Sequence, residues 1–266
     1  YDKLNDTLKL FRNSPPHYLS IYEIEEMKSI ITESENVARL LFHVVRREDE
    51  LIKKMLEKNI KLLFKRGSVI DHAGRSFQNI TGFEYMLWAL DKHGWTMMIE
   101  CIENDQNREE LFKQLLAQYN KVEIEGVTYT LNGKKITESH FDFQNTIIKA
   151  LKVHKDLCNT PTPDENAIDK QWIEDVGGAQ KLFPKHVVFE YCSEEPFYSI
   201  SKFNAKPKLS MEFFNCINQT NELWYSSDSK LGVDFAVLKP EQRAIGVTGC
   251  ARLLSFSMLK GPSISS

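Results

Sequence analysis

The chain has 266 residues, and its 34 Lys and Arg against 37 Asp and Glu give a formal net charge of −3. This near balance argues against a dedicated nucleic-acid-binding protein, because such proteins usually carry a basic excess. A hydrophobic fraction of 42% supplies enough apolar material for a core and excludes disorder as the main state. We expect a single domain over 1–266, with lobes at 1–158 and 164–266.

No apolar run approaches the roughly 18 residues that a membrane helix needs, so we expect no membrane span. The sequence has neither an initiating Met nor a secretory signal pattern, and we expect it to be part of a longer protein. The cysteines include no CxxC motif, which disfavours a disulfide framework or a structural zinc site and favours a reducing compartment. They are Cys101, Cys158, Cys192, Cys216 and Cys250.

Helical spacing of apolar residues dominates the amino-terminal part of the chain. A capping box at Ser20 and Glu23 predicts the start of one helix. A second capping box at Thr32 and Glu35 predicts the start of another. The apolar pattern that follows predicts one continuous helix over 48–64.

The next segment mixes turn signals with short helices. Residues 71–77 predict a tight turn or a small hairpin. Thr81 and Glu84 form a third capping box, which predicts a short helix. Apolar residues at helical spacing then predict helices over 95–103 and 107–119.

A hairpin is predicted in the middle of the chain. Apolar residues alternate with polar ones over 122–137, and Asn132-Gly133 is a strong signal for a two-residue β-turn between strands. Ser139 and Asp142 then predict the start of a long helix that reaches about residue 157.

The second half has a less regular pattern. Residues 159–166 contain two prolines and few apolar side chains, which makes this segment the best candidate for a boundary between lobes. Helices are predicted over 167–176 and 212–223, a strand over 232–238, and a final docking helix over 241–259. Residues 185–192 are predicted to form a helix, with a buried strand as the alternative.

These elements together predict a mainly α fold with a small β-hairpin, of the α+β class. The first lobe is predicted to contain ankyrin-like helix pairs, and the C-terminal lobe to be less regular. Residues 47–63 resemble the second helix of an ankyrin repeat, and 71–75 resemble the turn that opens the next repeat. Helices 81–90 and 95–101 would follow as a pair. This resemblance implies a host-protein interaction module that exposes the turns at 71–79 and 91–94.

The common catalytic motifs do not occur in the sequence: it has no Walker-type phosphate loop, GxGxxG, HExxH or GxSxG. Cys192 lies six residues after His186, which leaves a Cys-dependent hydrolase or transferase as an alternative. The sequence favours a structural role for this cysteine, because catalytic pairs are assembled in space and rarely by sequence neighbours. The seven histidines show no i, i+4 pair, so we expect neither a metal site nor a catalytic residue set.

Two aromatic segments have the residue types that a nucleotide site needs. His17, Tyr18 and Tyr22 surround a predicted helix start, where rings stack on a base and backbone amides receive an anion. Trp224 and Tyr225 precede hydroxyl side chains and a cation at Lys230 on a predicted loop, and Arg243 is a further candidate for phosphate. The alternatives are a tyrosine pair that anchors the helix entry and an aromatic corner that covers the core.

Three segments resemble effector proteins that Legionella-type intracellular pathogens inject through a type IV secretion apparatus. They are GRSFQNIT at 74–81, FEYMLWALD at 83–91 and SKLGVDF at 229–235. Within that group, the chain is similar to the KLAMP-type domain, a mainly helical module associated with adenine-nucleotide binding through tyrosine stacking. Tyr18 and Tyr22 are the candidates for stacking by their position.

The resemblance implies a virulence-associated module that is secreted into the host-cell cytoplasm and binds ADP, ATP, AMP or cyclic AMP without any tightly held cofactor. The expected partners are therefore an adenine nucleotide and a host protein, with no nucleic acid. A stacked adenine needs no general base, which agrees with a binding role.

Overall fold

The computed structural model describes residues 21–194, 208–239 and 244–248. The chain divides into two compact units, Tyr1–Phe141 and Asp142–Ser266. The described residues form a mainly α structure with small, mostly antiparallel sheets, which confirms the α+β class. The division falls after Phe141, earlier than the proline-containing segment 159–166, which instead connects two consecutive helices of the second unit.

Among the described residues, the first unit has five α-helices and one 3-10 helix. They are α1 (Ile21–Arg46), α2 (Asp49–Lys58), the 3-10 helix Ile60–Phe64, α3 (Gly82–Trp88), α4 (Lys92–Glu100) and α5 (Arg108–Glu125). The predicted break at Thr32 is wrong, because α1 continues through it with no Gly or Pro to end the helix. The continuous helix predicted over 48–64 is also wrong. Asn59 has a non-helical backbone, and its side chain accepts a hydrogen bond from the amide of Lys61.

A four-stranded antiparallel sheet completes the first unit. Its strands are β1 (Gly67–Ile70), β2 (Ser76–Ile80), β3 (Val127–Leu131) and β4 (Lys134–Glu138), and they are adjacent in chain order. The hairpins predicted at 71–77 and at Asn132-Gly133 are confirmed. Asn132 and Gly133 both have positive φ, as a two-residue turn requires. Residues 122–125, predicted to be extended, instead form the end of α5, and Gly126 with φ 73° ends that helix.

The hairpin at 71–77 changes the ankyrin comparison. The turn that resembles an ankyrin turn joins two β-strands and does not open a helix. Asp71 holds this turn, because its carboxylate accepts hydrogen bonds from the amides of Ala73 and Arg75 and from the Arg75 side chain. The predicted pair of helices does form, as α3 and α4, and α3 packs on α1 and α5.

The second unit begins with helices whose hydrogen-bond spacing varies. They are the π-helix Gln144–Ile148, α6 (Lys149–Cys158), α7 (Glu165–Gln171), the π-helix Trp172–Val176, α8 (Gly177–Lys181) and α9 (Lys185–Cys192). The prediction that Ser139 begins this helical region is wrong. The region begins at Asp142, whose carboxylate accepts a hydrogen bond from the amide of Asn145 at 2.8 Å. The helices predicted over 167–176 and 185–192 are confirmed.

A second four-stranded sheet follows, with strands β5 (Glu212–Asn215), β6 (Thr220–Leu223), β7 (Ala236–Leu238) and β8 (Ile245–Val247) in the order β6-β5-β8-β7. The helix predicted over 212–223 is wrong. The segment is a hairpin in which Phe213 and Asn215 point inward at alternating positions. Gly246 lies inside β8, where an added Cβ would come within 3.1 Å of the rings of Phe213 and Phe235, so this glycine serves packing.

Candidate functional site

An apolar groove in the first unit lies among α3, α4 and α5. Its volume is about 610 Å³, within the range of roughly 300–1,000 Å³ that ligand sites occupy. Most of the side chains that line it are aliphatic or aromatic, and three are polar. They are Phe83, Leu87, Leu90, Trp95, Ile99, Phe112, Leu115, Leu116, Tyr119, Val122, Glu123, Ser139 and His140.

One face of α5 forms the exposed wall of this groove. Phe112, Leu116 and Tyr119 follow each other at the i, i+4, i+7 spacing of a helix face, and Leu116 is 59% exposed. Leu115 and Val122, on the inner side of the same helix, are buried and attach α5 to the unit. The groove therefore presents a row of apolar side chains that a helical or ring-shaped ligand can contact.

Polar contacts under the groove hold α3 against α5. The predicted capping box at Thr81 and Glu84 is confirmed, with the side chain of each residue bonded to the backbone of the other. The Thr81 hydroxyl also donates to the side chain of Gln118 on α5. The buried Glu84 carboxylate pairs with Arg66 and with Lys121 of α5. These bonds join the two helices that form opposite sides of the groove.

The polar side chains of the groove lie near the C-terminal end of α5. Tyr119 hydrogen-bonds to Glu123, and this bond raises the pKa of the Tyr119 phenol. Glu123 is the carboxylate among the groove-lining side chains, and His140 contributes an imidazole whose Nδ1 lies 3.0 Å from the carbonyl oxygen of Phe141. The groove can therefore receive an apolar group and a cation side by side.

The turns that the ankyrin comparison predicted to be exposed are exposed only in part, at Gly74, Gln78, Asn79 and Lys92. Asp71, Arg75 and Phe77 lie in the core, where the Arg75 guanidinium pairs with Asp71 and contacts the ring of Trp88. Asp91 is buried too, in an ion pair with Arg47. Buried charges require such partners, so these turn residues serve the fold.

The residues predicted for nucleotide binding have different surroundings. Tyr22 lies in the first turn of α1 and is 80% exposed, so its ring is open to a ligand. Lys230 is also exposed, but it belongs to the second unit. His17, Tyr18 and Arg243 lie outside the described residues.

The segment around Trp224 corresponds to the alternative, an aromatic corner that covers the core. Trp224 is 2% exposed, and its indole N–H donates to the carbonyl of Gln180 at 3.3 Å. Its ring stacks on Phe183, and the Tyr225 hydroxyl donates to the carbonyl of the same residue. The expectation of a stacking surface at Trp224 is corrected, because its ring faces are covered by protein.

The thiols singled out by the sequence are poorly suited to nucleophilic chemistry. Burial raises the pKa of the Cys192 thiol to about 12, with Lys239 opposing the shift and Glu212 adding to it. Burial also raises the pKa of Cys101. A cysteine that has no base beside it reacts as its thiolate, so a raised pKa lowers its reactivity. Cys192 is therefore protonated at neutral pH.

The structure brings together a group that the sequence analysis missed. On α6, the Sγ atom of Cys158 lies 3.6 Å from Nε2 of His154, and Nδ1 of the same imidazole lies 2.9 Å from Oε1 of Gln171 on α7. Burial lowers the pKa of His154 and raises the pKa of Cys158. The available signal was the i, i+4 spacing of a histidine and a cysteine on a predicted helix.

The described part of the chain contains no group of three or more His, Cys, Asp or Glu side chains able to hold a metal ion. Within residues 21–194, 208–239 and 244–248, no helix combines the length and apolar character required to cross a bilayer.

Comparison with known proteins identifies relatives of unknown activity. The chain is 33% identical over 224 residues to the uncharacterized protein CBUA0006 of Coxiella burnetii, an alignment that covers 77% of this chain and 63% of that protein. The chain thus spans less than two thirds of this relative. No solved structure matches the chain. Residues 146–260, which include most of the second unit, match the family described as the CBUA0006 C-terminal domain.

Proposed function

We propose that the chain is a binding module whose first unit receives the apolar face of an amphipathic helix from a partner protein. The observation that carries this proposal is the row of exposed apolar side chains on α5, which faces a groove of about 610 Å³. Helix-in-groove recognition uses anchors at i, i+3 or i+4 and i+7, the spacing at which Phe112, Leu116 and Tyr119 are arranged.

The carboxylate of Glu123 in the groove indicates the charge that the partner helix should carry. Glu123 lies at one end of the lining, beside Tyr119, and it places a carboxylate next to the apolar wall. A partner helix with a Lys or Arg next to its apolar face would pair with this carboxylate and gain orientation as well as affinity. The proposed partner is therefore a basic amphipathic helix.

The experiment measures binding of a labelled basic amphipathic peptide and of a scrambled peptide with the same composition by fluorescence anisotropy. Leu116→Glu is expected to weaken binding of the amphipathic peptide roughly 10- to 150-fold, because burying a leucine contributes about 1.5–3 kcal/mol. Ile124→Glu is the matched control, since Ile124 is 83% exposed on the same helix and is not among the groove-lining residues. Equal binding of both peptides, or an equal loss in both variants, overturns the proposal.

The relatives support a bacterial setting for this module. The likeness to a Coxiella burnetii protein fits, at a coarse level, the sequence resemblance to effectors of Legionella-type intracellular bacteria. We therefore propose that the module is part of a virulence-associated effector that acts in the host cytoplasm, where the partner helix would belong to a host protein. Membership of the KLAMP-type group is part of this proposal.

Adenine-nucleotide binding is a second proposal, favoured by the open ring of Tyr22. Titration calorimetry with ATP, ADP, AMP and cyclic AMP tests it on the wild-type chain and on Tyr22→Ala. Loss of a stacked base costs about 1–3 kcal/mol, so the variant is expected to bind roughly 5- to 150-fold more weakly. The absence of heat with all four nucleotides, or unchanged binding by the variant, rules this proposal out.

A further inference from the structure

We propose that Cys158 and His154, oriented by Gln171, form a thiol acyl-transfer site in the second unit that accepts the acyl group of a thioester. The three side chains meet across two consecutive helices, α6 and α7. The groove in the first unit takes no part, so this inference stands independently of the proposed function.

The hydrogen bonds define how the imidazole is protonated. The amide oxygen of Gln171 is an acceptor only, so Nδ1 of His154 carries the proton that it receives. The opposite nitrogen, Nε2, then has a free lone pair directed at the thiol of Cys158, 3.6 Å away. A nucleophile, a base and a group that orients the base are the three parts of a nucleophilic site.

Further contacts hold the imidazole in this orientation. His154 is 2% exposed, and the ring of Trp172 packs against it with centroids 5.0 Å apart. Gln171 is fixed from its other end, because its amide nitrogen donates to the carbonyl of Ala150 at 2.8 Å. Cys158 is the partly exposed member of the group, whereas His154 and Gln171 are buried, so a substrate would approach from the side of Cys158.

Burial keeps the imidazole and the thiol neutral before a substrate binds. Burial disfavours both the imidazolium and the thiolate, and the Asp169 carboxylate on α7 further disfavours the thiolate while it favours the imidazolium. The thiol therefore reacts as serine hydroxyls do in hydrolases, with proton removal during the attack and not before it.

Thioester exchange is a reaction that a thiol with a neighbouring imidazole base can perform. Sγ of Cys158 forms a bond to the carbonyl carbon of the thioester while its proton passes to Nε2 of His154. The C–S bond of the donor then breaks, and the departing thiolate takes the proton from His154. The products are S-acyl Cys158 and a free thiol, with no oxidant or reductant consumed. One imidazole serves both proton transfers because the entering and leaving groups are both thiols.

The test follows acetylation of the whole chain by phenyl thioacetate, with peptide mapping by mass spectrometry from about pH 5 to about pH 9. The acylation rate of Cys158 is expected to stay level through neutral pH and to fall in acid as His154 becomes protonated. Cys101 is an internal control, because it is a half-buried thiol that donates to the carbonyl of Met97. Its rate is expected to rise about tenfold per pH unit, as for an unassisted thiol.

Two variants separate catalysis from packing. His154→Gln is expected to slow acylation of Cys158 by about 10²–10⁴-fold and to restore a rate that rises with pH. Gln171→Glu keeps an acceptor for Nδ1–H but adds a negative charge, which raises the pKa of His154 and moves the acid limb to higher pH. The pH profile of Gln171→Glu tests the proposal even where His154→Gln fails to fold. A Cys158 rate that parallels Cys101 in wild type, or an acid limb unmoved in Gln171→Glu, overturns the proposal.

Discussion

The groove of the first unit and the ring cluster around Trp224 in the second unit contain similar aromatic side chains and expose them in opposite ways. In the first unit, the rings of Trp95, Phe112 and Tyr119 line an open groove. In the second, Trp224 and Tyr225 direct their N–H and O–H groups to backbone carbonyls, and the Trp224 ring is covered by other rings. Aromatic content by itself therefore does not mark a binding surface. What decides is whether the faces of each ring pack against other side chains of the fold.

The largest expected effect is on the closed cluster, which consists of Trp224 and the rings packed against it, Phe183, Tyr191 and Phe213. Trp224→Ala should lower the free energy of unfolding by about 3–5 kcal/mol, because it leaves a cavity among Phe183, Tyr191 and Phe213. Phe112→Ala, on the open groove, should lower it by less than about 1 kcal/mol. Denaturant unfolding followed by circular dichroism measures both. Equal destabilisation by the two variants would remove the contrast between the regions.

A smaller effect is expected at alkaline pH. Burial raises the pKa of Tyr191, in the closed cluster, to about 12 from its ordinary value of 10.0. The unfolded chain therefore releases this proton first as pH rises, so stability falls between about pH 10 and pH 12, by up to about 2–3 kcal/mol. Tyr191→Phe should reduce that fall. An identical pH dependence in wild type and variant would show that Tyr191 is not the group responsible.

The smallest effect is expected at the open groove. Glu123→Gln removes the negative charge beside Tyr119 and should therefore bring the pKa of that phenol closer to its ordinary value. Ultraviolet titration of the tyrosines, with Tyr119→Phe to identify the signal, measures the change. Stability should hardly change, because both side chains are exposed. A large loss of stability would mean that the groove is more tightly packed than its exposure indicates.

The signals that were interpreted correctly from the sequence were local ones. The capping box at Thr81 and Glu84 and the turn at Asn132-Gly133 each involve residues within four positions of each other, and both form as predicted. The helix predicted over 212–223 failed because the same residues form a hairpin, and a distant strand also pairs with that hairpin. β5 pairs in parallel with β8, and Phe214 is adjacent to Ile245 in that pairing.

The candidate sites likewise combine features within one helix with contacts between separate helices. The exposed apolar face of α5 can be anticipated from spacing within one helix, whereas the groove needs α3 and α4 beside it. For Cys158, the sequence supplies the i, i+4 histidine, but Gln171 comes from the next helix. The sequence was compatible with Trp224 either on a stacking surface or in an aromatic corner that covers the core. Only the residues packed around Trp224 in the structure distinguish these two possibilities.

The sequence alone determined the α+β class, the hairpin turns and the cap at Thr81, because backbone propensities and hydrogen bonds between near neighbours are sufficient for these. It also determined that a substantial apolar core would form. Tertiary structure alone decided which rings stay open, which thiol meets an imidazole and where distant strands pair. Those outcomes depend on burial and on contacts between segments far apart in the chain, and local composition does not specify either.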